Sequence, residues 1–135
     1  MPKLSHCAAL ALLIAAPLAL PARADQGQAW TAPERASKRA NPVSPSPAAL
    51  AKGKAVYLKS CESCHGQSGD GDGPKAKDLS KKPASLVPAI KGQSDGALFW
   101  KVTEGKKPMP SFETDLTPDQ IWQVIDYIRT LQGHK

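Results

Sequence analysis

The stretch KSCESCHGQSGDGDGP, residues 59–74, decides how the rest of the chain is interpreted. It places Cys61 and Cys64 three positions apart, with His65 directly after them and a run rich in glycine and aspartate following. Thiolates and imidazoles bind zinc, two thiols at this spacing can form a redox disulfide, and a Cys-x-x-Cys-His run attaches haem. The other residues of the chain must distinguish these three chemistries.

The first 24 residues have the features of a secretory signal. Lys3 gives a positively charged start, ALALLIAAPLALP at 9–21 is an apolar run, and ARA at 22–24 has the small-x-small form of a cleavage site. The alternative is an uncleaved anchor, but spanning a bilayer takes about 20 apolar residues, and this run is shorter and broken by proline. We therefore predict cleavage after Ala24 and export to the periplasm.

The remaining chain is small, mildly basic and poor in aromatic residues. Residues 1–24 carry two basic residues and no acid, so the formal net charge of +6 falls to +4, and aromatic residues make up only 5% of the sequence. Cys7 leaves with the signal, and the pair of Cys61 and Cys64 would be oxidised in an exported protein unless a cofactor claimed it. A large apolar cofactor would help to fill so small a core. Export and the modest charge argue against nucleic acid as a partner.

After the signal, the composition divides the chain into an extension over residues 25–47 and a domain over residues 48–135. The extension contains four prolines and is predicted to lack a core of its own. Residues 66–93 are rich in glycine and proline and are predicted to form a long irregular loop.

Three helices and no strand pattern are indicated in the domain, so the predicted fold class is all-α. The first helix begins after Ser46 with Pro47 in its first turn, and its Gly53 predicts a close crossing with another helix. The second helix begins after Ser94 and ends at Gly105. The third, over 117–133, has a capping box and an apolar face at helical spacing. That face consists of Ile121, Val124, Ile125, Ile128 and Leu131.

Zinc and a redox disulfide fit this chain poorly, whereas haem attachment uses all three residues of the motif. A structural zinc site needs four ligands, and the only further histidine after the signal is His134. A thioredoxin-like disulfide belongs at the start of a helix in an α/β framework, but this pair follows a helix in an all-α chain. In haem attachment, Cys61 and Cys64 add to the vinyl groups and His65 reaches the iron.

Met109 is the candidate for the second iron ligand. It is the only methionine besides the initiator, and it lies between two prolines in KKPMPSF. Methionine is ordinarily core filler, but two flanking prolines hold the backbone extended and present the side chain in one direction. His134 is the runner-up, although it lies beyond the terminator of the last helix.

The chain resembles the monohaem class I cytochromes c of the exported bacterial type. The resemblance covers about residues 48–133 and rests on CESCHG at 61–66, GDGP at 71–74, LFWKVTEGKKPMPSF at 98–112 and IWQVIDYIRTL at 121–131. It implies a small helical bundle wrapped around one covalent haem c, with the first and last helices crossing at Gly53. It also implies that the Pro74 carbonyl accepts a hydrogen bond from the second nitrogen of the iron-bound histidine.

Further expectations concern the surroundings of the haem. An apolar lining is expected from several residues, for each of which ordinary core packing is an equal alternative: Leu79, Leu86, Val87, Ile90, Leu98, Phe99, Val102 and Phe112. The Trp100 indole either reaches a haem propionate or simply packs. Lysines are expected near the exposed haem edge of the family: Lys75, Lys77, Lys81, Lys82, Lys106 and Lys107. They form either a steering patch for a redox partner with an acidic docking face or an ordinary solvated surface.

An iron bound by His65 and Met109 has no open position, so the sequence favours an electron carrier over an enzyme. The alternative is a haem subunit or docking domain of a larger respiratory or dehydrogenase complex, with Trp30 and PERASKRANPV as its docking arm. In the remaining alternative Met109 detaches and the protein acts as a sensor or has peroxidase-like activity. Membrane contact is expected only through partner complexes.

Overall fold

The computed structural model describes residues 29–131, so the predicted signal and His134 lie outside the described residues. The described chain is helical, and its only β pairing is an isolated bridge between Lys106 and Met109. The predicted all-α class is therefore confirmed. The helices are α1 (Glu34–Ser37), α2 (Pro47–Ser60), α3 (Glu62–His65), α4 (Leu86–Ile90), α5 (Asp95–Glu104) and α6 (Pro118–Arg129), with a 3-10 turn at Ala76–Asp78.

The starts of the three long helices follow the sequence signals. Ser46 Oγ accepts from the amide of Ala49 at 3.1 Å, and Ser94 Oγ accepts from the amide of Ala97 at 3.2 Å. At α6, Thr117 and Gln120 form the predicted capping box, with side chain to backbone distances of 3.3 and 2.9 Å. Each cap satisfies amides that the helix itself leaves unpaired, which is why these residues begin helices.

The crossing of α2 and α6 is the central packing contact of the domain. Gly53 is buried in it, and a Cβ at this position would collide with the Gln123 carbonyl oxygen and stand 3.0 Å from the Tyr127 Cβ. Nearby, the rings of Tyr57 and Tyr127 lie with centres 5.4 Å apart. The predicted close crossing at Gly53 is therefore present, because only glycine lets the two backbones approach this far.

Two apolar clusters flank this crossing. One contains Leu98, Phe99, Ile121, Trp122 and Ile125. The other contains Val56, Tyr57, Val124 and Ile128. The predicted apolar face of α6 contributes residues to both clusters, so α6 packs in both parts of the core. Among residues 29–131, none of the helices is long and apolar enough to cross a membrane.

The segment predicted as an irregular loop contains local structure. Residues 66–93 include the 3-10 turn and α4, and the α4 residues Leu86 and Ile90 pack on the core clusters. The sequence pattern missed α4 because a five-residue helix with an internal proline, Pro88, is too short to show periodicity. Its stability comes from packing rather than from helix propensity.

Residues 29–43 of the extension, which we call the N-terminal strap, pack against the domain. The strap contains α1 and a buried residue, Ala32, while Val43 packs on the first core cluster. Asn41 Nδ2 donates to Asp126 Oδ1 on α6 at 2.8 Å. The strap lacks a core of its own, as its composition indicates, but it shares the core of the domain.

Candidate functional site

The end of α2 and the short helix α3 bring Cys61, Cys64 and His65 onto one turn. The Cys61 amide donates to the Tyr57 carbonyl at 2.8 Å, and the His65 amide donates to the Cys61 carbonyl at 2.9 Å. Both cysteines are free thiols, and both are half-buried, as is His65. The structure thus presents two thiols and one imidazole from a single continuous turn of backbone.

The loop after His65 encloses this turn through its backbone. Three loop amides donate to consecutive carbonyls of the turn: Gly71 to His65 at 2.8 Å, Gly73 to Cys64 at 3.2 Å and Lys75 to Ser63 at 2.8 Å. A Cβ on Gly73 would stand 2.5 Å from the Ser63 carbonyl oxygen, so this approach requires glycine. The glycines that the sequence shows after the motif therefore serve to lock the turn in place.

Tyr57 ties the turn to the helix crossing. Its hydroxyl donates to the Gly66 carbonyl at 2.6 Å, directly after the motif, and its ring is fully buried beside Tyr127. Burial is the main reason that the pKa of Tyr57 lies well above its ordinary value, with nearby acidic groups adding to the effect. The phenol stays protonated and remains a donor at any physiological pH.

His65 is oriented by a backbone carbonyl, but not by the expected one. Its Nδ1 lies 3.1 Å from the Ala84 carbonyl oxygen. Since a carbonyl only accepts, Nδ1 carries the proton and Nε2 keeps its lone pair for a metal. The expectation for Pro74 is corrected: the loop doubles back, so residue 84 supplies the acceptor. A carbonyl has no signature in the sequence, and nothing in the residue types around Ala84 could have marked it.

Burial favours the neutral forms of His65 and Cys61. It lowers the pKa of His65, an effect that the Ala84 hydrogen bond partly opposes. It raises the pKa of the Cys61 thiol to about 12, with the Cys64 thiol as a second cause. A neutral imidazole with a free Nε2 is the form that binds iron. A protonated Cys61 thiol is a poor metal ligand, because the thiolate is the form that binds metal ions.

Met109 lies on a separate turn that follows α5. Its backbone exchanges two hydrogen bonds with Lys106, each 3.0 Å, and its side chain is half-buried. The next residues are attached to the last turn of α5, because Ser111 Oγ donates to the Thr103 carbonyl at 2.6 Å and the Phe112 amide donates to the Val102 carbonyl at 3.2 Å. The Met109 turn is therefore anchored to the end of α5.

The donor set fits a haem and not zinc. Within residues 29–131, no group of three or more histidine, cysteine, aspartate or glutamate side chains is arranged to hold a metal ion. The motif instead offers two unpaired thiols and an imidazole whose second nitrogen is already hydrogen-bonded. Met109 adds a half-buried thioether, a soft donor suited to iron. Cys61, Cys64 and His65 fit the attachment of a haem c, and Met109 is the candidate for its second ligand.

Residues expected to line the haem lie in two places, the core beside α6 and the chain that follows the Met109 turn. Leu98 and Phe99 belong to the buried core with α6, so ordinary packing accounts for them, while Phe112 is buried beyond the Met109 turn. Trp100 is half-buried, and the unusual tryptophan is Trp122, whose buried indole N–H has no hydrogen-bond partner. The sequence analysis did not single out Trp122, because its position on α6 is indistinguishable from other core positions.

The expected lysine cluster is on the surface of the protein. All six of its side chains are exposed: Lys75, Lys77, Lys81, Lys82, Lys106 and Lys107. Four of them lie on the loop that encloses the motif, and Lys106 and Lys107 lie on the turn that carries Met109. Lys52 and Lys54 on α2 are also exposed, but they lie on a different element.

Comparison with known proteins agrees with this geometry. Residues 48–128 match the family model described as cytochrome c oxidase, cbb3-type, subunit III. Cytochrome c6 of Parathermosynechococcus lividus is 35% identical over 79 residues, covering 58% of this chain and 86% of that protein. Cytochrome c6 of Thermosynechococcus vestitus is 36% identical over 90 residues, covering 64% and 77%.

Among solved structures, the chain is similar to one from a reducing HAO-like protein complex of Kuenenia stuttgartiensis. The TM-score is 0.61 and the sequence identity is 30%. The similarity covers 67% of this chain but only 46% of the other, so this chain corresponds to less than half of that protein.

Proposed function

This chain belongs to the cytochrome c family as a monohaem class I domain of the cbb3-type, and from that premise we propose that it is an exported one-electron carrier. Membership makes it an electron-transfer haem protein and implies a covalent haem c at the motif of Cys61 and Cys64. The proposal adds three points to this: the iron is bound by His65 and Met109, the protein is periplasmic, and it diffuses freely between its partners.

The observation that carries the proposal is the hydrogen bond between His65 Nδ1 and the Ala84 carbonyl. It fixes the tautomer that leaves Nε2 free for iron, and it holds the ring on the same turn as two unpaired thiols. When bound, the haem supplies one-electron exchange at its iron. The protein supplies orientation of the imidazole, attachment through two thiols and a soft thioether from Met109.

The ligands determine what the site can do. With His65 and Met109 both bound, no position is left for oxygen, peroxide or a substrate, which favours electron transfer over catalysis. A thioether favours ferrous iron, and burial adds to this effect, so the potential is raised. We infer that the protein accepts electrons from quinol-linked or dehydrogenase donors and passes them to a terminal enzyme.

Covalent attachment and export are tested together by intact mass. Purified from cells that attach haem, the protein should begin at Asp25 and carry the mass of one haem after denaturation, because thioether bonds survive unfolding. The variant with both Cys61→Ser and Cys64→Ser should lose that added mass. An unmodified mass in the native protein would contradict haem attachment, and an intact residue 1 would contradict cleavage.

The lysine cluster is proposed to steer encounter with a partner that has an acidic docking face. Reversal of Lys81 and Lys82 to glutamate should slow association with the native partner about fivefold to tenfold at low salt, since these charges guide diffusion. The difference should shrink as salt is added, because the screening length falls to about 8 Å at physiological ionic strength. The measurement is the second-order electron-transfer rate as a function of salt.

Reversal of Lys52 and Lys54 to glutamate is the matched control, since it changes the same number of exposed charges on α2. If both pairs slow association equally, net charge alone acts and the patch is wrong. If neither does, the lysines are an ordinary solvated surface.

A second candidate is a haem subunit of a larger complex. The similarity to a chain of the Kuenenia stuttgartiensis complex favours it. Against a docking arm stands the strap itself, since Arg39 and Asn41 already contact α5 and α6. Native fractionation separates the candidates: a haem-staining band at monomer mass in the soluble fraction supports the carrier, and co-migration with membrane complexes supports the subunit.

A further inference from the structure

The N-terminal strap contacts the start of α5 through its backbone. Ser94 Oγ donates to the Ser37 carbonyl of the strap at 2.6 Å. A Cβ on Gly96 would stand 2.5 Å from the Arg39 carbonyl oxygen, closer than side-chain carbons come to other atoms. Gly96 is therefore required for the strap to lie against α5, which indicates that the two segments are fitted to each other.

Arg39 joins the strap to both α5 and α6. Its guanidinium carbon lies 4.4 Å from the centre of the Phe99 ring on α5 and 5.2 Å from the centre of the Trp122 ring on α6. These two rings stack with their centres 4.2 Å apart. Arg39 is exposed, and its cation is attracted by the negative surface of the two aromatic faces. Arg39 thus holds the outer surfaces of two helices together.

Asn41 adds a polar contact to the same face. Its amide donates to one oxygen of Asp126 at 2.8 Å, while the other oxygen of this buried carboxylate has no hydrogen-bond partner. Burial is the main cause that raises the pKa of Asp126, with the Asp95 charge second, and the Asn41 hydrogen bond opposes the shift. Removing the strap would take away the Asn41 amide that partly compensates the buried Asp126 carboxylate. This hydrogen bond therefore stabilises the docked position of the strap on α6.

At the other end of the strap, Trp30 reaches the residues that precede the Met109 turn. Lys101 Nζ on α5 lies 5.3 Å from the centre of the Trp30 ring. Trp30 and Lys106 line one cleft of about 380 Å³. Burial lowers the pKa of Lys101, and the neighbouring Lys106 lowers it further. A partly dehydrated ammonium binds an aromatic face more strongly than an exposed one does.

The end of α5 carries the Met109 turn. Ser111 and Phe112 are hydrogen-bonded to carbonyls of its last turn, and Gly105 lets the chain reverse there with φ of 66°. A displacement of α5 is therefore transmitted directly to Met109. The strap contacts α5 at its start, in its middle and close to the turn.

We propose that the N-terminal strap is a positioning element for Met109: Arg39, which bridges α5 and α6, and Trp30, which lies against Lys101 on α5, limit excursions of the Met109 turn away from the haem iron. This inference rests on the proposed ligation by Met109. Arg39 and Trp30 act through α5 and do not themselves bind the iron, so they are positioning residues.

The test measures cyanide binding to the oxidised holoprotein. Cyanide can reach the iron only after Met109 leaves it, so the limiting rate at high cyanide reports opening of the turn. Arg39→Ala and Trp30→Ala should each raise this rate about tenfold, because the contacts of the strap raise the barrier to opening. Arg35→Ala removes an exposed cation from α1 and should leave the rate unchanged. Arg39→Lys, which keeps a cation at the rings, should stay close to the native rate.

Amide hydrogen exchange separates positioning from general destabilisation. Positioning predicts faster exchange at the amides of Met109 and Phe112, with the amides of Leu50 and Cys61 unchanged, because the last two are hydrogen-bonded within α2. Equal acceleration at all four amides would overturn the inference. The inference would also be overturned if Arg39→Ala and Trp30→Ala both bound cyanide at the same limiting rate as the native protein.

The Met109→Ala variant distinguishes failure of this inference from failure of the proposed function. If that variant keeps the sulfur-to-iron absorption band of the native oxidised protein, Met109 is not the ligand, and both the proposed ligation and the role of the strap are wrong. If the band disappears but Arg39→Ala and Trp30→Ala behave like Arg35→Ala, only the role of the strap falls.

Discussion

Replacing Met109 with alanine is expected to leave the haem attached while changing almost every property of its iron. Attachment depends on Cys61 and Cys64, so the intact mass should keep the added haem. The sulfur-to-iron band of the oxidised protein should vanish, and the potential should fall by on the order of 0.2 V, because a thioether favours ferrous iron. Cyanide should bind on the order of 100-fold faster, since no protein ligand has to leave first.

Lys107→Ala is the matched control for this experiment, because Lys107 is exposed on the same turn two residues from Met109. It should keep the band and the potential near the native values. An unchanged spectrum in Met109→Ala would move the second ligand elsewhere in the chain. His134→Ala would then be the next variant to examine, since His134 is the only histidine after the motif.

The second large effect is expected at the crossing of α2 and α6. Gly53→Val should lower the free energy of unfolding by about 3 kcal/mol, because its branched side chain meets the Gln123 backbone and must push two helices apart. Gly53→Ala is a sharper test of the same contact. Alanine gains about 1 kcal/mol in helix propensity, so a net loss of stability shows that the collision outweighs this gain.

Urea unfolding of the holoprotein measures both substitutions. Ala51→Val is the control, because it adds the same side chain on the exposed side of α2 and should cost only about 0.5 kcal/mol of helix propensity. Equal midpoints for Gly53→Val and Ala51→Val would mean that the helices do not approach closely at Gly53. The close crossing of α2 and α6 would then be wrong.

Much of the site could be predicted because its determinants are local. Cys61, Cys64 and His65 act from one turn, so their spacing alone indicates the chemistry. The caps at Ser46, Ser94 and Thr117 each satisfy an amide three residues away and depend only on near neighbours. The all-α class, the helix starts and the haem-attachment motif therefore follow from short stretches of sequence.

Long-range partners could not be predicted in the same way. The acceptor for His65 is a backbone carbonyl 19 residues further along the chain, and any residue type could provide it. The prediction that the Pro74 carbonyl accepts this hydrogen bond was wrong, because a match to the family motif does not show where the loop doubles back. The short helix α4 is stabilised by its packing on the core, which no local pattern reveals.

The sequence alone determined that the chain is helical, that Cys61, Cys64 and His65 form one haem-attachment motif and that Met109 is presented between prolines, because each of these depends on neighbours in the chain. Only the tertiary structure decided that the proline-rich extension is a strap on α5 and α6. Asn41 and Asp126 are separated by 85 positions, and their hydrogen bond forms only when packing brings them together. The composition of a segment indicates whether it can form a core of its own. It does not indicate whether the segment packs on the core of a neighbouring domain.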